Sequence, residues 1–201
     1  MSDPTRTAYD AFAPAYAQRH AAMIPALVAA ADRFLSLLGG AGPVLDLGCG
    51  PGRDAAYFAE RKLSVVGADF SDGMLALARE RARVPLVQCD LRAVPFRDGA
   101  FGGVWCDAAL LHVPKADVPR ALTGVRRVLE HGGALCVLVQ QGEGEGVEPL
   151  PGRPEIRRFF ARYRAREVRR LLADAGFESI AVEVEPAETR VWLHCFARRG
   201  A

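Results

Sequence analysis

The stretch VLDLGCGPGRDA, residues 44–55, decides how this chain is read. Val44 to Leu47 is a short apolar run of strand character. Gly48, Gly50 and Gly52 follow at alternate positions, and a helical pattern opens at Arg53. Glycines at that spacing let the backbone turn sharply and let a ligand lie directly against it, because no Cβ intervenes. At the C-terminal end of a first parallel strand such a turn makes a cofactor cradle. Strand-to-helix turns also take glycine for steric reasons alone, so the surrounding residues carry the distinction. Asp69 ends the next strand-like run, Asp90 the one after, and a further apolar run covers 102–111.

Outward from that turn, strand and helix patterns alternate. Helices are expected over 53–61, 72–83 and 118–129, and strands over 64–68, 86–89, 103–108 and 134–139. Strands apolar on both faces, alternating with helices, form a parallel sheet covered on both sides. The end differs. A helix over 165–175 stops at Gly176, and the runs 180–184 and 191–197 are separated by a loop too short for a crossover helix, so these two strands pair antiparallel. Two helices precede the sheet: Tyr9, Phe12, Ala13 and Tyr16 recur at helical spacing, and a second pattern runs over 24–38 to Gly39 and Gly40. The expected fold is α/β, a doubly wound seven-stranded and mostly parallel sheet with an antiparallel last strand, in one domain covering 1–201.

Residues 141–164 break the pattern: a glycine and glutamate run, then prolines, then Arg153, Arg157, Arg158, Phe159, Phe160, Arg162 and Tyr163. A long irregular loop here leaves the sheet on the same edge as the glycine turn and can overhang the site as a substrate-side cover. The alternative is a solvated arginine-rich helix face with aromatics packed beneath. If Arg157 and Arg158 face the pocket mouth, an acidic acceptor is favoured.

At 201 residues the chain is long enough to bury a core without metals or disulfides, and its formal net charge of +2 is too small to imply a nucleic-acid or membrane partner. Its five cysteines show no CxxC pair, which points to buried free thiols in a reducing cytoplasm rather than zinc or disulfides. The N-terminus lacks the pattern of a secretory leader, and Pro25, Asp32 and Arg33 interrupt the alanine-rich stretch after it. The expectation is a cytoplasmic protein with no metal.

Taken together, the GCGPG turn, Asp69, Asp90 and the antiparallel ending resemble class I S-adenosylmethionine-dependent methyltransferases of the small-molecule type, and the resemblance spans almost the whole chain. It implies that YDAFAPAY, residues 9–16, is a helical lid contributing Tyr16 to the cofactor site, where plain core packing is the alternative. It also implies that Gly48 and Gly50 lie against the methionine portion and that Asp46 faces the ammonium, unless Asp46 instead binds loop amides. Asp69 would accept both ribose hydroxyls, and Asp90 the adenine amine beside the Leu91 amide. Phe70 and Met74 would sandwich the ring, and Asp107 would add a further contact. A nicotinamide-binding reading fits less well. Arg53 stands where the dinucleotide fingerprint needs glycine or alanine, and Pro51 removes an amide. A non-catalytic binder of the same cofactor stays open.

The motifs of the superfamily's nucleic-acid base enzymes are missing: Cys106 follows Trp105, with no Pro-Cys and no Pro-Pro-aromatic run. A small-molecule acceptor is expected and no nucleic acid. ALLHVP, residues 109–114, resembles the small-molecule enzymes and offers His112, with an unperturbed pKa near 6.5, either as a base for a hydroxyl acceptor or as a residue capping its loop.

Overall fold

The computed structural model describes residues 4–150, 152–187 and 189–200. Helices α1 (Pro4–Arg19) and α2 (Pro25–Leu38) lead into β1 (Val44–Leu47), α3 (Arg53–Glu60), β2 (Val65–Asp69), α4 (Asp72–Arg81) and β3 (Leu86–Gln88). Then come β4 (Phe101–Asp107), α5 (Val118–Val128), β5 (Leu129–Gln140), β6 (Glu145–Leu150) and β7 (Arg153–Ala161). The chain ends with α6 (Ala165–Asp174), β8 (Phe177–Pro186) and β9 (Val191–Arg199). Seven strands form one sheet in the order β3-β2-β1-β4-β5-β9-β8. All pairs are parallel except those of β9, which runs antiparallel to both β5 and β8. The doubly wound sheet and the antiparallel ending are as the pattern predicts.

All four β1 residues are buried, as a central strand covered on both faces requires. Along β4 alternate side chains serve opposite layers. Val104 and Cys106 join the cluster under α5 and α6, while Trp105 joins Phe34 of α2 and Phe58 of α3. Those three rings lie 5.4–5.7 Å apart between centroids. Removing one such buried ring costs about 3–5 kcal/mol. Among the described residues no helix is long and apolar enough to cross a membrane.

Two elements depart from expectation. The stretch expected as an irregular loop is a two-stranded antiparallel ribbon, β6 with β7, separate from the main sheet. Its apolar side chains, among them Val147, Leu150, Ile156, Phe159 and Phe160, do not alternate with polar ones over a sustained run, so no period of two marks it as strand. Helix α1 is kinked at Phe12 and contains Pro14, which cannot donate to the carbonyl four residues back. The Asp10 carboxylate instead reaches across to α4, accepting from Ser71 Oγ at 2.6 Å and from the Gly73 amide at 3.0 Å. Helix α1 thus bridges α4 and β7.

Candidate active site

The C-terminal ends of β1, β2 and β4, with the segment after β3, open into one cavity of about 670 Å³, counting the part open to solvent. This is where an open α/β sheet offers a crevice. Its walls bring together Tyr16, Gly48, Gly50, Asp69 and Phe70 with Met74, Asp90, Leu91, Asp107 and His112, all singled out in the sequence. Tyr9, Arg92, Ala108, Ala109 and Val113 complete it. Asp46 is not in the wall but lies buried beneath it.

The glycine turn is fixed by close approach. A Cβ on Gly48 would stand 2.2 Å from the Ala109 Cβ, and Gly48 has φ +83°, so no other residue fits between β1 and the segment after β4. Asp69 holds the turn from the other side, with Oδ2 accepting from the Gly50 amide and Oδ1 from the Ser71 amide, each at 2.9 Å. Burial raises the Asp69 pKa, and these amides work against the rise. The loop-amide role considered for Asp46 is thus filled by Asp69, whose carboxylate keeps lone pairs for a further donor.

Beneath the turn lies a group that sequence reading missed. Arg53, noted only as a mismatch to the dinucleotide fingerprint, is a buried counterion. Its Nε and Nη2 donate to the two oxygens of Asp54 at 2.6 and 2.9 Å, and Nη2 also donates to Asp107 Oδ2 at 2.6 Å. Trp105 Nε1 donates to Asp54 Oδ2 at 2.9 Å. Burial opposes the Arg53 charge, but the bonds and charges of Asp54 and Asp107 outweigh it and raise its pKa. Burial, then Asp54, push the Asp107 carboxyl up to about 6, against the pull of Arg53. Asp46 sits close by, its Oδ2 buried without a partner, and burial followed by the Asp54 charge holds its pKa well above the ordinary value. One guanidinium therefore faces three carboxyl groups, and the site carries surplus acid.

Asp90 is held differently from the expectation of an open acceptor. Its carboxylate takes Arg92 Nε at 2.9 and 3.0 Å, Nη2 at 2.5 Å and the Arg92 amide at 2.8 Å. These bonds outweigh its burial and lower its pKa. Arg92 is a cavity residue that the spacing Asp-Leu-Arg, two positions apart, could have flagged.

At the opposite end stands His112, in a short 3-10 turn, Leu110–His112. Its Nδ1 lies 2.7 Å from the Phe159 carbonyl oxygen, which only accepts, so the proton is on Nδ1. Nε2 therefore accepts from the Tyr9 hydroxyl at 2.7 Å, and the Tyr9 oxygen accepts from Arg158 Nη1 at 3.2 Å. Burial raises the Tyr9 pKa, with Arg158 opposing. Both His112 nitrogens are engaged, so a proton from a ligand reaches the imidazole only through Tyr9. We expect His112→Gln to lower the melting temperature by about 2 to 6 °C, the loss of roughly 1 to 2 kcal/mol from two hydrogen bonds, with no change in ligand affinity at the glycine end. An unchanged melting curve with a collapsed turnover rate would instead make His112 a direct base.

Residues 44–133 match the model of a methyltransferase domain. The demethylmenaquinone methyltransferase of Thermus thermophilus is 41% identical over 102 residues, 47% of this chain and 46% of that protein. The chain spans less than half the length of the curated relatives it matches. Among solved structures, a DhpI–SAH complex superposes with a TM-score of 0.72 at 22% identity, covering 98% of this chain and 96% of that one. The [4+2]-cyclase SpnF superposes with a TM-score of 0.73 at 21% identity, covering 100% and 99%.

Proposed function

We propose that the chain transfers a methyl group from S-adenosylmethionine to a small-molecule acceptor, a reading supported by the match of residues 44–133 to the model of a methyltransferase domain and by a fold shared with a DhpI–SAH complex. The observation that carries this reading is the surplus acid beneath the glycine turn. A cofactor bearing an ammonium and a sulfonium is neutralised there, whereas a pyrophosphate would meet Asp46, Asp54 and Asp107 at close quarters. The Gly50 amide that a pyrophosphate would need already serves Asp69, and Pro51 has none. The buried, unpartnered Asp46 Oδ2 fits an acceptor for the ammonium, directly or through a water.

In this reading Gly48 and Gly50 admit the methionine portion, Asp69 takes the ribose hydroxyls, and Phe70 and Met74 flank the adenine. The Leu91 amide and Asp90, steadied by Arg92, receive its polar edge, and Tyr16 with Asp107 closes the amino-acid end. When bound, the cofactor supplies an electrophilic methyl on a positively charged sulfur. The chain's part is to orient the acceptor in line, exclude water and, for a hydroxyl acceptor, take its proton. Tyr9, backed by His112, is the group placed to receive that proton. Thiol and amine acceptors need no such step. The five free cysteines are buried, which supports a reducing cytoplasmic setting.

The fold alone does not fix the reaction, since one neighbour of the same fold is named a cyclase. Incubation with S-adenosylmethionine and a panel of small hydroxyl, amine and thiol acceptors should release S-adenosylhomocysteine with at least one of them. Saturable cofactor binding with no release on any acceptor would favour the non-catalytic binder.

Cofactor affinity should also depend on pH. The Asp107 carboxyl in the folded chain holds its proton up to about pH 6, above its ordinary 3.8, and a cationic ligand prefers it ionised. The dissociation constant should therefore rise about tenfold as pH falls from 7.5 to 5. Stability of the free protein moves the other way. The folded state binds this proton more tightly than the unfolded state, so Asp107's contribution declines as pH rises through the window from 3.8 to about 6. Titration calorimetry with S-adenosylmethionine, whose sulfonium gives it a net positive charge, from pH 7.5 to 5 checks the sign, and a flat profile would contradict it.

A further inference from the structure

The ribbon places one cation, Arg158, in the interior with no carboxylate in ion-pair contact among the described residues. Arg157 and Arg158 are neighbours on β7, so their side chains take opposite faces. Arg157 is exposed and donates to the Val147 carbonyl. Arg158 is 8% exposed and faces inward. Its guanidinium lies 4.8 Å from the centroid of Phe160, 5.5 Å from Phe12 and 5.6 Å from Tyr9, rings that favour a cation without cancelling its charge. Of its five N–H donors, Nη1 makes the 3.2 Å bond to the Tyr9 hydroxyl, long for a charge-assisted contact, and Nε is buried with no partner.

Among the described residues no carboxylate pairs with Arg158. Glu148, its cross-strand partner, has both oxygens on Arg162. Arg190, just before β9, adds positive potential at Tyr9. Arg158 thus stands directly behind the Tyr9 hydroxyl, a wall of the cavity beside His112, where the Asp69 charge opposes those of Arg158 and Arg190. A buried cation left without an anion is a costly arrangement unless a ligand completes it.

We propose that Arg158, through the N–H donors that the Tyr9 hydroxyl leaves free, binds an anionic group of the methyl acceptor, so that the acceptors are small organic acids carrying a carboxylate or phosphoryl group. The proposal rests on the methyl-transfer reading above for the word acceptor, but the anion site stands on the ribbon's own geometry. The ribbon and α1, which meet at Arg158, Phe12 and Tyr9, would part to admit the acid.

The test titrates benzoate against benzamide, and phenylphosphonate against benzyl alcohol, into the protein with and without saturating S-adenosylhomocysteine. The acids should bind at least about tenfold more tightly than their neutral partners, with the advantage shrinking as salt rises. Arg158→Gln should abolish the preference, Arg158→Lys should retain part of it, and Arg157→Gln should retain all of it, with S-adenosylhomocysteine affinity unchanged in each. A stronger preference for benzoate than for phenylphosphonate marks a carboxylate acceptor, and the reverse marks a phosphoryl one. No acid preference in the wild type, or one that survives Arg158→Gln, overturns the proposal. If Arg158→Gln does not fold, the wild-type and Arg158→Lys titrations decide. Absence of S-adenosylhomocysteine binding with the acid preference intact would overturn the methyl-transfer reading and leave the anion site standing.

Discussion

Replacing Arg53 by methionine is expected to destabilise the protein by roughly 3 to 5 kcal/mol, a fall in melting temperature on the order of 10 °C, although methionine fills much of the same volume. The loss comes from what is left behind. Asp54 and Asp107 lose the only guanidinium that both of them contact among the described residues, and Asp46 loses a nearby positive charge. Three carboxyl groups then share one buried space without a counterion, and Asp46 and Asp107, whose pKa values are already raised, are pushed further toward holding their protons. The sign of the pH dependence follows. Folded-state pKa values raised further above the unfolded values make the variant's deficit larger at pH 8 than at pH 5. Thermal melts of both proteins at the two pH values check this, and an Arg53→Met protein as stable as the wild type at pH 8 would show that the carboxyl groups do not depend on Arg53.

Asp69→Ala has the second large effect, and it acts twice. If the carboxylate accepts the ribose diol, its removal deletes two charge-assisted hydrogen bonds worth on the order of 2 to 4 kcal/mol, so cofactor affinity should fall at least about tenfold. The fold is affected as well. The Gly50 and Ser71 amides lose their acceptor, so stability should drop by about 1 to 3 kcal/mol and the glycine turn should loosen. Calorimetric titration beside a thermal melt separates the two parts. An unchanged dissociation constant would put the ribose elsewhere, whatever the melt shows.

The parts of this molecule that were legible in its sequence are those written in local periodicity. The apolar runs at Val44, Val65 and Val104 and the glycines between strand and helix gave the sheet, because a strand buried on both faces has nothing polar to hide its pattern. The short gap before Val191 gave the antiparallel ending. Residues 145–161 were not legible as a ribbon. Pro149 and Pro154 lie within its strands, and proline is tolerated there because the ribbon is all edge.

The lining of the candidate site was legible at Asp69, which ends a strand, while Asp107 came only from the resemblance. It was not legible where side chains pair across the fold. Arg53 meets Asp107 from 54 positions away, and Arg158 meets Tyr9 from 149. No spacing rule brings such partners together. The engagement of both His112 nitrogens is likewise a property of the folded neighbourhood of α1 and β7, since one partner is a backbone carbonyl that any residue at position 159 would offer.

The most direct test of the account is a pair of calorimetric titrations at pH 7.5, one with S-adenosylhomocysteine and one with NAD. The surplus acid beneath the glycine turn and the occupied Gly50 amide predict saturable binding of S-adenosylhomocysteine at one site and an NAD affinity at least about a hundredfold weaker, a gap of roughly 3 kcal/mol. Tight binding of NAD with none of S-adenosylhomocysteine would contradict it.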